Sequence, residues 1–553
     1  MKYSTFFNIS LLFLLSVFIM FRQLIIPGYF SCIIQDTFDY TSWSWQFTEA
    51  LKEGAIYPRW TPLSYWGYGS PCFILIAPLA FYLVSFFSIF SDSLILAMNC
   101  TKFLSLFLSA TGMFIFVKEF HPPKIALMTA ILYVLFPYNI FGLYYSGTFG
   151  SMISLMWFAP IFLFLYRYTE NEQYNHIIYA GVCYGGLILT HLINAYMFLF
   201  VIGSFMLFFS VTKKNPKYLF AIPLTIMIGI LTSAAYVIPL LYEKQFINTE
   251  IFMKEGFHFA NFFIIPKLLN NHPSGSFWPV YYSEYLFYVA LYLILITLFS
   301  LQILKSRHMK TMGNINKVNV FFIGIALFSI FLLFGISSFI WNFIPFFKYI
   351  IYPYRWLHIT TFAIVFLSAS GLFLLNNTFK TQKRHHYFIV FLFLLFFILD
   401  CRYIGSTCIF TEKDLIPIKP INYNTIHMPV WVDYERIDKN DNKDKVVIVS
   451  GEGKAKVIQW ESADRVIKIM AQQSLTLRIR TFNFPGWQAY MDGIPTEIRT
   501  EEFTGAILIN IPEGKHRLVI KFEDTPVRYY SKVISLASLL GIVCMLVLFK
   551  KMK

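Results

Sequence analysis

The sequence predicts a polytopic α-helical membrane protein of about twelve transmembrane helices with a C-terminal β-sandwich domain outside the cytoplasm. Three observations predict it. Hydrophobic residues make up 57% and aromatic residues 20% of 553 positions, more than a water-soluble chain carries. Of 30 acidic residues, 17 lie in 401–527, which separates an apolar body from a polar domain. The net charge of +15 comes from Lys and Arg gathered in short loops between apolar runs. That is the distribution of loops held on the cytoplasmic side, not of a nucleic-acid-binding face, so no nucleic-acid partner is expected.

Runs apolar enough to cross about 30 Å of hydrocarbon occur near 6–27, 73–90, 94–117, 125–143, 150–167, 177–211, 219–241, 284–304, 318–341, 355–375, 387–400 and 529–549. The first has no small-residue cleavage site and is expected to stay as an anchor. The run 177–211 is too long for one helix and contains Gly185-Gly186 and Thr190-His191, so two helices joined by a tight break are expected there. Counting it as two gives thirteen spans.

Charge parity decides what 73–90 is. If it lies in the interface as a helix parallel to the membrane, every basic loop falls on the side of Lys2. The inside segments (1–5, 118–124, 167–176, 212–218, 305–317, 380–386 and 550–553) then hold 17 Lys and Arg in 53 residues. The outside segments (28–72, 144–150, 244–283 and 342–355) hold 7 in 106. Twelve spans with both termini cytoplasmic follow. The expected organisation is a membrane module over 1–400 with an external loop at 28–93, an extracytoplasmic β-rich domain over 401–527, and a final helix with a basic tail over 528–553.

Within 401–527, alternating runs such as Thr476–Arg480 and Arg517–Lys521 are separated by turn signals at Pro485-Gly486, Asp492-Gly493 and Glu513-Gly514, which predicts an antiparallel sandwich. Lys439–Lys445 reads as a solvated loop. Cys32 with Cys72 and Cys401 with Cys408 are either two disulfides of an oxidising compartment or four unrelated small residues near a membrane. No P-loop, dinucleotide loop or metal-ligand spacing is present, so no cofactor is expected, and a divalent metal has no residue pattern to support it.

The thirteen acids of the body avoid the centres of all predicted spans, which argues against a proton-relay transporter. Asp36 and Asp39 lie about ten residues beyond the first helix, where a carboxylate can act as general base at the membrane surface. The same residues can instead cap a helix over 40–53. Ser91-Asp92-Ser93 is read as a cap. Arg59, Lys348 and Arg355 sit at headgroup depth, either to hold a lipid phosphate or as interfacial anchors. Trp43, Trp45, Trp60 and Trp66 suit sugar stacking or an aromatic belt.

Gln35-Asp36, Trp43, Gly54–Trp60, Gly67–Pro71 and Ala77-Pro78-Leu79 together resemble the first external loop of bacterial membrane proteins in the GT-C glycosyltransferase superfamily. The nearer resemblance is to YfhO-like and pterin-synthase-related membrane families. Leu189–Ala195 is similar to a histidine motif at an outer helix end, Pro353–Trp356 to an external Pro-x-Arg element, and Phe484–Gly493 to the opening of the YfhO-like β-domain. The resemblance implies a membrane glycosyltransferase of hexosyl type that uses a polyprenyl-phosphate sugar on the outer face of a bacterial cytoplasmic membrane, with an envelope glycan, glycolipid or protein as acceptor. Asp36, or Asp39, would be the catalytic base, and Arg59, Trp60, His191, Asn194, Glu243 and Arg355 would bind substrate. One departure is plain: Ser146-Gly147-Thr148-Phe149-Gly150-Ser151 stands where relatives carry Arg-Gly and an acid four residues later. Asp39 or Glu243 would have to replace that acid. His191 has two readings, a contact to phosphate or acceptor and a hydrogen-bonded structural residue. The competing function is a non-enzymatic lipid or polysaccharide translocator on the same scaffold. A reporter fused after residue 93 is expected to read as external; a cytoplasmic signal refutes the interfacial helix.

Overall fold

The computed structural model describes residues 2–26, 28–30, 34–249, 258–264, 278–305, 313–378, 398–399, 401, 409–411, 427–437 and 444–551. Among them, eight helices are long and apolar enough to cross a membrane: Thr5–Ile25, Leu94–Lys118, Pro123–Ser146, Phe149–Asn171, Leu192–Thr212, Asn314–Phe331, Pro353–Leu374 and Pro526–Leu548. Tyr174–Thr190 and Tyr285–Ser300 are shorter apolar helical segments. The expected span 387–400 lies outside the described residues except at 398–399.

The run 177–211 is two helices, and the break is a single extended residue, His191, with φ −157° and ψ 102°. Gly185 and Gly186 remain helical because they serve packing. A Cβ on Gly186 would enter the Trp157 indole, and one on Gly185 would meet Thr232 and the backbone of Gly229. The run 219–241, expected as one span, is instead bent by 85° between Pro216–Thr232 and Ala234–Phe246. Ser233 sits at the bend and donates its hydroxyl to Gly229 O at 2.7 Å. The run 73–90 forms two short helices, Cys72–Leu75 and Leu79–Phe87, separated by Ala77-Pro78. The longer has nine residues, about 14 Å of rise, too little to cross a bilayer.

The basic loops meet at one end of the bundle. Arg167 pairs with Glu119 at 2.6 Å, Lys213 with Glu170 at 2.8 Å, and Lys118 donates to Thr5 at 2.8 Å. Asn314 Nδ2 reaches both carboxylate oxygens of Glu170 at 3.0 Å. Four inside segments inferred from charge counting, 118–124, 167–176, 212–218 and 305–317, are represented here, together with the N-terminal turn.

At the opposite end, strand β1 (Tyr29–Phe30) pairs with β2 (Ile409–Phe410). The β-domain has nine further strands: β3 (Val446–Ser450), β4 (Gly453–Trp460), β5 (Asp464–Ala471), β6 (Leu475–Phe482), β7 (Trp487–Met491), β8 (Ile494–Thr496), β9 (Arg499–Thr500), β10 (Ala506–Ile511) and β11 (Gly514–Phe522). They form two antiparallel sheets, ordered β3-β6-β10-β9 and β4-β5-β11-β7-β8. Alternate residues point inward. Leu477, Ile479, Ile507 and Ile509 of one sheet share a core with Ile467, Ile469, Leu518 and Ile520 of the other. The β7–β8 hairpin closes over Asp492 and Gly493, with φ of 53° and 87°, the left-handed pair a two-residue turn needs. Of the expected solvated loop, only Asp444 and Lys445 are described.

The first loop, expected to be external, docks on this domain through a knot at Thr61–Ser70, closed by backbone bonds of 2.8 and 3.0 Å between its ends. Tyr65, Trp66, Gly67 and Gly69 all have positive φ. The turn presents Tyr68 O to Phe482 N at 2.8 Å and Trp66 O to Arg480 Nε at 2.7 Å, extending the end of β6. Tyr68 stacks on Phe482 at 5.0 Å, and Trp60 meets Trp487 edge-on at 5.3 Å. A Cβ on Gly69 would fall inside the Trp60 indole, whereas Gly54, also at positive φ, faces open space. Gly69→Ala is expected to cost about 2–4 kcal/mol from strain plus overpacking, and Gly54→Ala about 1 kcal/mol from strain alone. Thermal unfolding of both in detergent checks this; equal losses would refute the close-approach role.

Candidate functional site at the loop end of the bundle

The helix Ile34–Lys52 carries the two candidate acids. It starts earlier than the expected 40–53 segment, so Asp36, Thr37 and Asp39 lie within its first two turns and do not cap it. Asp36 is in the first turn, with its side chain outside the described residues; Asp39 follows at i+3, half-buried. The spacing puts both on one helix face. Phe38 packs on Phe410 at 5.7 Å, and Tyr40 on Phe149 at 5.7 Å. Burial first, and then neighbouring charge that includes Asp39, pushes the Tyr65 hydroxyl and the Cys72 thiol well above their ordinary ranges. Cys72 and Cys401 are free thiols, while Cys32 and Cys408 lie outside the described residues. The expected cap before Leu94 is Ser93, which accepts from Leu96 N at 3.2 Å.

Tyr40 leads into a buried polar cluster. Three helices begin there, at Phe149, Leu192 and Leu357. Ser151 Oγ bonds His358 Nε2 at 3.0 Å. Asn194 Nδ2 donates to Ser154 Oγ at 2.7 Å and to Ser151 Oγ at 3.2 Å. His191 Nδ1 accepts from Asn194 N at 3.2 Å, so the residue that breaks the helix also caps its successor. A Cβ on Gly150 would sit 3.1 Å from the Tyr40 hydroxyl and 3.4 Å from the His191 ring, which places both groups around that glycine.

Arg355 lies in the turn Pro353–Trp356, half-buried. It donates to Ile350 O at 2.7 Å and stands over the Tyr352 ring at 4.9 Å. It is within electrostatic reach of His191 and His358. Tyr138 packs on His358 at 5.1 Å and donates to Tyr354 O at 3.2 Å. Asn194 Oδ1 and His358 Nδ1 are buried with no hydrogen-bond partner among the described residues. Helix N-termini, one guanidinium and two unused polar atoms make this a place for an anionic or polar ligand.

The remaining predicted residues lie elsewhere. Arg59 is 3% exposed; it donates to Ala235 O at 2.8 Å and stacks on Tyr57 at 4.0 Å, leaving Nε and Nη1 unused among the described residues. It lines a cavity of about 270 Å³ between the external loop, the β-domain and the C-terminal helix, with Glu53, Glu461, Asp464 and Arg528 also in the wall. No hydrogen bond, ion pair or ring contact among the described residues joins Arg59 to Arg355. Trp60, expected to bind sugar, is 2% exposed and packs against Trp487 and Phe522, both at 5.3 Å. Its hydrophobic faces belong to the loop–domain contact. Glu243, expected to contact substrate or replace the missing acid, is fully engaged by Arg528 at 2.8–3.1 Å and by Thr525 at 3.1 Å. A carboxylate held by a buried guanidinium and a hydroxyl has no capacity left for either role.

Ser154, His358 and Tyr138 were not legible as site residues, because single polar residues in apolar runs look like helix interior. Lys102 was missed for the same reason: it is 2% exposed in a membrane-spanning helix, lining a small cavity with Ser105, Ser109 and Asn139. Among the described residues no three His, Cys, Asp or Glu side chains gather as a metal site.

A family model described as the 6-pyruvoyl-tetrahydropterin synthase related domain, a membrane protein, matches residues 75–405. No curated protein matches. Solved structures similar to this chain include the oligosaccharyltransferase of Archaeoglobus fulgidus in apo form, at 14% identity and TM-score 0.44, covering 73% of this chain and 56% of that one. Another is the archaeal oligosaccharyltransferase AglB from Archaeoglobus fulgidus with an inhibitory peptide and a dolichol-phosphate, at 15% identity and TM-score 0.41, with the same coverages. The chain thus spans little more than half the length of these proteins. Glu243→Gln is expected to lower stability by about 3–5 kcal/mol, because Arg528 would stay buried without its counter-charge. Thermal unfolding of the detergent-solubilised protein checks this, and an unchanged midpoint refutes the pairing.

Proposed function

The chain belongs to the 6-pyruvoyl-tetrahydropterin synthase related family of membrane proteins, and from that premise we propose that it is a GT-C-type membrane glycosyltransferase. In this proposal a sugar passes from a polyprenyl-phosphate donor to a hydroxyl of an envelope glycan, glycolipid or protein on the outer face of the cytoplasmic membrane. The observation that carries it is the meeting of the acid-bearing helix, through Tyr40, with the polar cluster below Arg355 and His191.

The acceptor oxygen attacks the anomeric carbon as the bond from that carbon to the phosphate oxygen breaks. The phosphate leaves with the bonding electrons, and the acceptor proton passes to Asp36 or Asp39. The configuration at the anomeric carbon inverts. Arg355 and the helix N-termini offset the charge that grows on the departing phosphate, and Asn194 and His191 orient it. Arg59, with two unused donors in a separate cavity, is assigned to substrate held between loop and β-domain rather than to the leaving phosphate.

Membranes carrying the full chain, supplied with polyprenyl-phosphate hexoses and an envelope extract as acceptor, test this. Asp36→Asn or Asp39→Asn is expected to lower transfer by about 10²–10⁴ at equal expression, whichever is the base. Full transfer in the double variant would sink the mechanism. Movement of the lipid between leaflets without transfer would favour a translocator.

A further inference from the structure

The outward face of the five-stranded sheet carries a concentration of positive charge that the fold does not use. Between Asp444 and Thr525 the chain has eleven Lys and Arg and eleven Asp and Glu, so the domain is neutral and the patch is a segregation of charge. Lys454 and Lys456 on β4, Lys468 on β5, and Lys515 and Arg517 on β11 are all exposed. The register places Lys456 opposite Lys468, and Lys468 opposite Arg517. Three like charges therefore stand in one row, with neighbours about 5 Å apart, an arrangement that costs stability. None of the five makes an ion pair among the described residues. Exposed Met470 lies between Lys454 and Lys515, and exposed Ile458 follows Lys456 by two residues on β4. Among the described residues, acids meet the edges of this face: the Asp492 carboxylate accepts from Arg517 N at 2.7 Å and pairs with His516, and Asp464 stands opposite Lys521.

The direction of the stripe identifies the partner. The Phe522 end of β11 rests on Trp60, and four residues later Pro526 starts the C-terminal membrane helix. From Lys521 to Lys515 the strand extends about 20 Å, so the row lies toward the end of the sheet away from Trp60 and the start of the membrane helix. A lipid surface is screened beyond about 8–10 Å and cannot hold the distal cations. An extended chain of anions can reach all of them at once.

We infer that this face binds a linear anionic polymer of the envelope, one whose phosphate or carboxylate groups alternate with carbon units that cover Met470 and Ile458. The inference does not depend on the transfer chemistry proposed above. The test uses the full chain in nanodiscs of neutral phosphatidylcholine, with inorganic polyphosphate and polygalacturonate as probes, uncharged dextran as control, and phosphatidylglycerol vesicles as the lipid arm. Both polyanions are expected to bind, with affinity falling steeply as salt rises. The combined variant Lys456→Gln, Lys468→Gln, Arg517→Gln is expected to lose at least tenfold in affinity with an unfolding temperature that does not fall, since it removes the like-charge row. Lys456→Arg with Lys468→Arg is expected to keep it. Equal binding of dextran, full binding by the glutamine variant, or binding to the anionic vesicles alone would overturn the inference.

Discussion

The buried ion pair between Glu243 and Arg528 is the constraint on which the arrangement of this molecule depends. Both side chains are essentially inaccessible, at 1% and 0% exposure. Such a pair gains little over a well-packed apolar contact, yet losing one member is costly. Its value here is in location. Arg528 begins the last membrane helix, Glu243 ends the arm beyond the 85° bend, and the remaining guanidinium protons go to Pro485 O at 2.7 Å and Glu523 O at 3.2 Å on the β-domain. One guanidinium thereby joins a bent helix, a membrane anchor and a sheet domain.

With that junction in place, the external loop has a fixed surface to meet. Arg59 reaches Ala235 O in the bent arm, Trp60 enters the aromatic contact with Trp487 and Phe522, and the Thr61–Ser70 knot extends the end of β6. Glu53 accepts from Ser462 N at 2.9 Å. The loop is thus held from Glu53 to Ser70, and the helix bearing Asp36 and Asp39 has a defined seat over Phe149 and Phe81. In the proposed mechanism, seating of this kind would preorganise the acids of that helix toward substrate.

Charge is divided along the same axis. Ion pairs and amide contacts tie the basic loops together at one end of the bundle. The other end gathers helix N-termini, Arg355 and the Tyr40 hydroxyl around a cluster that is otherwise neutral. Ser151 and Asn194 hydrogen-bond to each other and Ser151 to His358, so the cluster relies on dipoles and hydrogen bonds. The β-domain, neutral as a whole, sets five of its eleven cations between Asp444 and Thr525 on one exposed face.

Local pattern was enough for much of this. Apolar run length revealed the membrane helices, period-2 alternation revealed strands such as Leu475–Phe482 and Gly514–Phe522, and basic loop density singled out 73–90 as a non-spanning segment. The break at His191 was legible for a similar reason, since the preceding run exceeded one helix length. The cap at Ser93 was legible too. Apart from the charge parity, which is summed over the whole chain, each of these signals lies within a few residues of the feature it marks. The bend at Ser233, the engagement of Glu243, the burial of Arg59 and Trp60, and the meeting of Ser151 with His358 were decided by tertiary structure alone. Their partners are far away in the chain: Arg528 is 285 residues from Glu243, and His358 is 207 from Ser151. Periodicity reports which face of an element is apolar, but which polar side chain meets which is settled only when the bundle, the loop and the sheet pack against one another.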